Sequence, residues 1–461
     1  MARPDLVVRS RRTVTPDGIR PAAIQVTDGR IRAIEDYSAG GDADREVDIG
    51  DLALLPGLVD THVHVNEPGR TDWEGFTTAT QAALAGGITT IVDMPLNSLP
   101  PTVSVAALRE KQSAAAGQCW VDVAFWGGVI PGNAAELKPL WDAGVIGFKC
   151  FLADSGVPEF PPLTAGELRS AMAGLAGLGA PVTIHAEDQN ELAVPPGGTH
   201  DDLLVSRPPV AERRAIETVI SGAAATGAHA HIAHLSAAEC AALLSGARAA
   251  GVAVTAETCP HYLYFAAEEI AAGATEFKCS PPIRSSYNRE ALWRALEAGV
   301  IDCVVSGHSP CEQSLKTADF ATARAGIASL ELGLSVIWTV ASRRGASLAD
   351  VARWMSAVPA AMAGLESKGR IAAGCDADLV AFDTSASFTV RGTGLVQRQR
   401  LTPYEGRVLT GRVERVWLGG DEVVPVGGGG GGRGGGGHGG RGAAGGGPRG
   451  RLLRRGGGEL E

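Results

Sequence analysis

Short runs in which apolar and polar residues alternate open the chain, at 6–9, 23–26 and 31–34, and Asp28-Gly29 between the last two is a hairpin signal. Similar runs return at 378–382, 388–390 and 413–418, followed by a second turn at Gly419-Gly420. The two β-rich ends predict one small β-sandwich built from both terminal regions, over 1–55 and 366–426. The middle, 56–365, reads differently. Continuous apolar runs at 57–65, 89–94, 121–126, 145–151, 182–186, 230–235, 252–256 and 302–306 alternate with Ala/Leu-rich stretches of helical period. Unbroken apolar runs are what strands covered on both faces require. Thr164 with Glu167, and Ser236 with Glu239, read as capping boxes that open two of the helices. Eight strand–helix units in succession predict an α/β fold, a (β/α)8 TIM barrel. A dinucleotide fold would need GxGxxG after its first strand, and that motif is absent.

Composition narrows the function classes. The chain has 461 residues, 45% hydrophobic and 20% charged, which is ordinary for a globular enzyme. Its formal charge of −10 argues against nucleic acid as a partner. Residues 427–461 include 20 Gly and six Arg; without them the charge falls to −14, because they also carry two Glu. So little apolar surface cannot offset ordering entropy, so this segment is expected to be a disordered Gly/Arg-rich tail rather than an RNA-binding arm. No run approaches the ~18 apolar residues of a membrane span. The N-terminal MARPDLVVRSRRTVTPDG lacks the apolar centre of a secretory signal. Eight Cys without a CxxC pair read as free thiols in a reducing compartment. A cytoplasmic location is expected.

In a barrel of this kind chemistry sits at the C-terminal ends of the strands. His62 and His64 end the first run, PGLVDTHVHV, and strand residues at i and i+2 project the same way. His185 ends the fifth run and His234 the sixth. One such histidine would pass as a core residue; four at strand ends point to metal. Lys149 ends the fourth run, GVIGFKCF. An ammonium cannot ligate a cation and is costly to bury alone. Carbamylated by CO2, the same side chain offers two anionic oxygens that can bridge two divalent ions. Such a pair would lower the pKa of shared water and polarise a carbonyl for attack.

These motifs carry a resemblance. DTHVHVNEPGRTDWEGF, VDMPLNSLPPT, GFKCFLADSGVPEF, IHAED, AHLS, ETCPHYL, KCSPPIR, SGHSPC and GRIAAGCDADLVAFD are together specific. The chain resembles the cyclic amidohydrolases of the amidohydrolase superfamily, and among them the bacterial allantoinases, over about residues 3–424. The resemblance implies two zinc ions bridged by N6-carboxylated Lys149, one also held by His62 and His64, the other by His185 and His234. It implies hydrolysis of allantoin to allantoate in purine catabolism, and a homotetramer. Dihydroorotases, which resemble the chain, carry an Arg that grips a carboxylate where this sequence has Asn66. Hydantoinases and dihydropyrimidinases place a Tyr shortly after the lysine, where this chain reads Phe151-Leu152-Ala153-Asp154-Ser155. Both differences favour allantoin. Ser280 matches a position whose backbone meets the substrate ring in relatives, and Asn97 is a further substrate candidate.

The pattern breaks in two places. The family reads Ser-Asp-His-Ser-Pro on the eighth strand, and this chain reads Ser306-Gly307-His308-Ser309-Pro310. The missing aspartate is the family's base and a metal ligand, so an impaired enzyme is expected. An inactive homologue serving as a binding or assembly protein, and a hydantoinase or dihydropyrimidinase, are the alternatives. His308 should point away from the metals, and Glu312 would reach in only through a loop rearrangement. Relatives also read AWGGI and then Gln, against Ala323-Arg324-Ala325-Gly326-Ile327 and Glu331 here.

Overall fold

A computed structural model describes residues 3–39, 43–424 and 447–460. The chain is mixed α/β. Its first five strands are β1 (Leu6–Thr15), β2 (Gly18–Thr27), β3 (Arg30–Glu35), β4 (Arg45–Asp48) and β5 (Ala53–Pro56). The strands of the middle segment are β6 (Leu58–Val63), β7 (Ile88–Asp93), β8 (Asp122–Phe125), β9 (Gly127–Gly128), β10 (Phe148–Phe151), β11 (Val182–His185), β12 (Ala230–Ile232), β13 (Val254–Thr258) and β14 (Cys303–Val304). Three more, β15 (Leu379–Thr389), β16 (Val408–Leu418) and β17 (Asp421–Val423), follow.

Both terminal segments enter one eight-stranded sheet, ordered β17-β16-β15-β5-β1-β2-β3 with β4 paired to β1. The antiparallel pairing of β15 with β5 joins the two ends of the chain. Both expected turns form: Asp28 and Gly29 have φ of 50° and 73°, and Gly419 and Gly420 have 55° and 79°. Two successive positive φ values define the type I′ geometry that suits a two-residue hairpin.

The middle strands are parallel and lie in two sheets, β6-β7-β8 and β14-β13-β12-β11-β10-β9. Helices follow the strands in alternation, among them Phe76–Ala85, Ala165–Leu178, Pro209–Thr226 and Ser286–Glu297. The two sheets meet at both sides. Between β8 and β9 the chain changes partner at Trp126, whose N–H donates to Asp93 O at 3.0 Å while Gly127 N–H donates to Gly147 O at 2.9 Å. On the other side Val63 and His308 form a parallel bridge, and His64 N–H donates to His308 O at 2.9 Å. Thr164 and Glu167 make the expected capping box, but Ser236 does not cap. Its hydroxyl donates to Pro282 O at 2.6 Å, and its N–H, with that of Ala237, donates to Glu212 Oε2 at 2.9 Å. A buried carboxylate from the preceding helix outcompetes the local cap.

The expectation of a disordered tail over 427–461 is corrected at its far end; residues 425–446 and 461 lie outside the described residues. Val123 N–H donates to Arg451 O at 2.9 Å and Leu453 N–H donates to Val123 O at 2.8 Å, so the tail takes the edge of β8 that β9 leaves unpaired. Leu453 is fully buried. Arg451 pairs with Asp122 at 2.7 Å and Asp376 at 2.9 Å, beside Lys368, which reaches Asp122, Asp376 and Asp378 at 2.6, 2.9 and 2.6 Å. Composition averaged over 35 residues hides the Arg-Leu-Leu cluster that docks.

Candidate metal centre

The ends of β6, β10, β11 and β12 bring His62, His64, Lys149, His185 and the neighbouring His234 to one place. The rings of His62 and His64 are 5.6 Å apart, those of His62 and His234 5.2 Å, and those of His185 and His234 4.7 Å. All four histidines line the floor of a cavity of about 600 Å³. Lys149 lies just beneath, fully buried, and its Nζ has no hydrogen-bond partner. Its Nζ lies over the Phe151 ring, 5.1 Å from the centroid, and Phe151 in turn stacks on His185 at 4.6 Å.

Burial sets the protonation states. It lowers Lys149 to about 8, which makes the uncharged amine that reacts with CO2 accessible near neutral pH. It also holds His62 and His185 below, and His64 and His234 well below, the ordinary imidazole value. Neutral imidazole is the form that ligates metal. An unpartnered buried amine among neutral imidazoles, with His234 Nδ1 also unpaired, fits a bridged pair of divalent ions after carbamylation.

The rings are oriented from behind. Glu257 makes a short hydrogen bond to His62 Nδ1, accepts His231 Nε2 at 3.1 Å and accepts the His234 N–H at 3.2 Å. Burial opposes its ionisation, but His62 and His231 outweigh that and hold the carboxyl below its usual range. Glu187 faces His185 Nε2 at 2.8 Å and is clasped by Arg207 at 3.1 and 2.6 Å. Asn97 places Nδ2 3.3 Å from His64 Nδ1. Carboxylates behind histidine ligands fix ring orientation and raise basicity. Sequence reasoning did not single out Glu187 or Glu257. Glu187 is two residues beyond His185, on the same face, and that spacing is a usable signal. Glu257 was hidden because the apolar run ends at 256, whereas β13 continues to Thr258.

Gly307 lines the cavity with φ of +59°, and a Cβ there would lie 2.7 Å from Cys259 Sγ and 3.6 Å from His261 Cε1. His308 does point away: its Nδ1 faces the N–H groups of Ser329 and Leu330 at 3.2 and 3.3 Å. Glu312 is absent from the cavity wall and instead accepts Ser314 Oγ at 3.3 Å. Ser280 and Asn97 both line the cavity. Asn66 is fully buried and donates to Pro310 O at 3.3 Å.

Two other groups of potential ligands occur among the described residues, His231–Glu257–Cys303 and Asp122–Asp376–Asp378. The first is occupied by the hydrogen bonds that orient His62, and the second by Lys368 and Arg451. Both serve the protein's own packing.

Glu331 is not at the cavity. It sits in a short 3-10 turn, where its Oε2 accepts the Val396 N–H at 2.7 Å, and burial raises its carboxyl to about 7. The unfolded chain ionises this group above about 4.5 and the folded chain only above about 7, so folding is penalised increasingly between those values and fully beyond them. Glu331→Gln keeps the acceptor and removes the penalty. It is expected to stabilise by up to about 3 kcal/mol above pH 7 and by nothing below pH 4.5, as read by thermal melts across pH.

Residues 53–423 match the model of the amidohydrolase family. The allantoinase of Streptomyces avermitilis is 52% identical over 431 residues, covering 93% of this chain and 97% of that one. The allantoinase of Saccharomyces cerevisiae is 46% identical, covering 81% and 83%. Among solved structures, the L-hydantoinase (dihydropyrimidinase) from Arthrobacter aurescens superposes with a TM-score of 0.88 at 30% identity, covering 92% of this chain and 97% of that one. Dihydropyrimidinase from Brevibacillus agri gives 0.83 at 28% identity, covering 91% and 94%. Four histidines around a buried lysine and a match along nearly the whole length lead to the same place: the chain belongs to the amidohydrolase family, in its allantoinase branch.

Proposed function

We propose that this chain hydrolyses one amide bond of the hydantoin ring of allantoin, giving allantoate, at two zinc ions. His62 and His64 would hold one ion, His185 and His234 the other, and carboxylated Lys149 both. The observation that carries this reading is the partnerless Lys149 amine buried among four neutral imidazoles at a cavity floor. When bound, the ions supply Lewis acidity, which polarises the amide carbonyl and brings the pKa of water towards neutrality. Glu257, Glu187 and Asn97 keep the His62, His185 and His64 rings in register. Ser280 offers its backbone to the ring, and the Asn97 carboxamide faces it from the opposite loop. Asn66, buried away from the cavity, brings no charge for a carboxylate, and no tyrosine follows Lys149; both support allantoin over the substrates of the sister enzymes.

The same reading takes 56–365 as a barrel, closed through Trp126 on one side and the Val63–His308 bridge on the other. It takes 1–55 with 366–426 as the small β-sandwich, and the active form as a cytoplasmic homotetramer. No helix among the described residues is long and apolar enough to cross a membrane. Gly307 supports a slow enzyme: the groups nearest its missing side chain are a thiol and an imidazole, so no carboxylate there carries a proton from water to the leaving nitrogen.

Removing divalent ions with a chelator should abolish allantoin opening, and zinc with bicarbonate should restore it. Turnover that survives chelation would overturn the metal-centred reading.

A further inference from the structure

Three cations line the cavity wall among the described residues, Arg207, Lys278 and Arg324, and of these Arg324 is the guanidinium without a carboxylate partner. Arg207 is neutralised by Glu187, and Lys278 spends its Nζ on the Ala323 and Ala321 carbonyls, at 2.6 and 3.4 Å. Arg324 lies over Trp73, 4.9 Å from its ring centroid, with Arg70 on the same ring at 5.1 Å. One Nη donates to Gly156 O at 2.7 Å, and the other reaches Asn97 Oδ1 only at 3.4 Å. Among the described residues no carboxylate comes within ion-pair distance of it, whereas Arg70 is paired with Glu159 at 2.5 Å. A single carboxamide, that of Asn97, separates the guanidinium from the His64 ring.

A half-buried guanidinium beside an aromatic ring at a cavity wall, held by one close hydrogen bond and one long one, is suited to a planar anion. Among the described residues the only carboxylate lining the cavity is Asp154, which accepts the Gly156 N–H at 2.9 Å. We propose that Arg324 is a specificity-determining residue, and that it binds a carboxylate carried on an arm of the ring, so that anionic cyclic amides are substrates or ligands beside the neutral one. This rests on the cyclic-amide reading above. The arm, not the reacting amide, meets Arg324, because the ring must lie over the histidines one residue away.

The test is direct binding by calorimetry to the zinc-loaded full chain, using hydantoin-5-acetate and its neutral counterpart hydantoin-5-acetamide. The acid is expected to bind about 10- to 100-fold more tightly than the amide, the difference a charge-assisted hydrogen bond supplies. Arg324→Gln should erase that preference and leave amide binding within about threefold, while Arg324→Lys should retain part of it. The amide serves as the control for a loop that shifts when the contact with Trp73 is lost. Equal binding of acid and amide by the native chain overturns the proposal and leaves the cyclic-amide reading intact. Failure of both rings to bind overturns that reading and the proposal with it.

Discussion

Replacing Gly307 with aspartate is expected to raise kcat for allantoin opening by about 10²–10⁴-fold, the usual worth of a positioned general acid–base. Position 307 lines the cavity, and a carboxylate there would take a proton from attacking water and return it to the leaving nitrogen. The backbone admits the change at a cost. A φ of +59° is left-handed, a region that aspartate enters more readily than most L-residues, at about 1–2 kcal/mol. The new Cβ would lie 2.7 Å from Cys259 Sγ, so the thiol must swing to another rotamer. Gly307→Asp combined with Cys259→Ala removes that conflict and should give the larger gain, with kcat and thermal stability measured together. An unchanged rate in both variants would mean that the proton travels by another group.

Lys149→Met should separate function from stability. If Lys149 carries the proposed carboxylate, its loss is expected to lower kcat/KM by at least about 10³-fold, equivalent to some 4 kcal/mol of transition-state stabilisation. Bound zinc per chain should fall in parallel. The metal-free variant, by contrast, should melt no lower than the metal-free parent, because a fully buried amine with no partner is exchanged for an apolar chain of similar length. In Lys149→Ala, where space is left, added acetate should recover part of the activity by supplying the missing carboxylate. Unfolding of metal-free Lys149→Met, together with an unchanged zinc content of the zinc-loaded variant, would make Lys149 a packing residue.

What the sequence disclosed follows from which signals are local. Strand runs and the i, i+2 rule were sufficient to align His62 with His64 and to bring Lys149, His185 and His234 to the same ends, because a parallel sheet repeats one direction. The two type I′ hairpins were equally legible, since the Asp28-Gly29 and Gly419-Gly420 pairs state their own backbone geometry. Glu257 was not legible. It is a charged residue, next to last in a strand whose apolar run stops one position earlier, and only its contacts with His62 and His231 reveal a role. Ser236 misled for the opposite reason: its spacing to Glu239 satisfies a local rule that Glu212, 24 residues earlier, overrides. The tail misled through averaging, since one buried leucine, its partly buried neighbour and one arginine suffice to dock the end of a glycine-rich segment.

The most direct test of the central claim is allantoin ring opening by the purified native chain, loaded with zinc and bicarbonate, with allantoate measured as product. The expected result is stoichiometric, zinc-dependent formation of allantoate at a slow rate, surpassed by Gly307→Asp. Absence of allantoate from both proteins, each with two zinc ions bound, would contradict the assignment of allantoin as substrate.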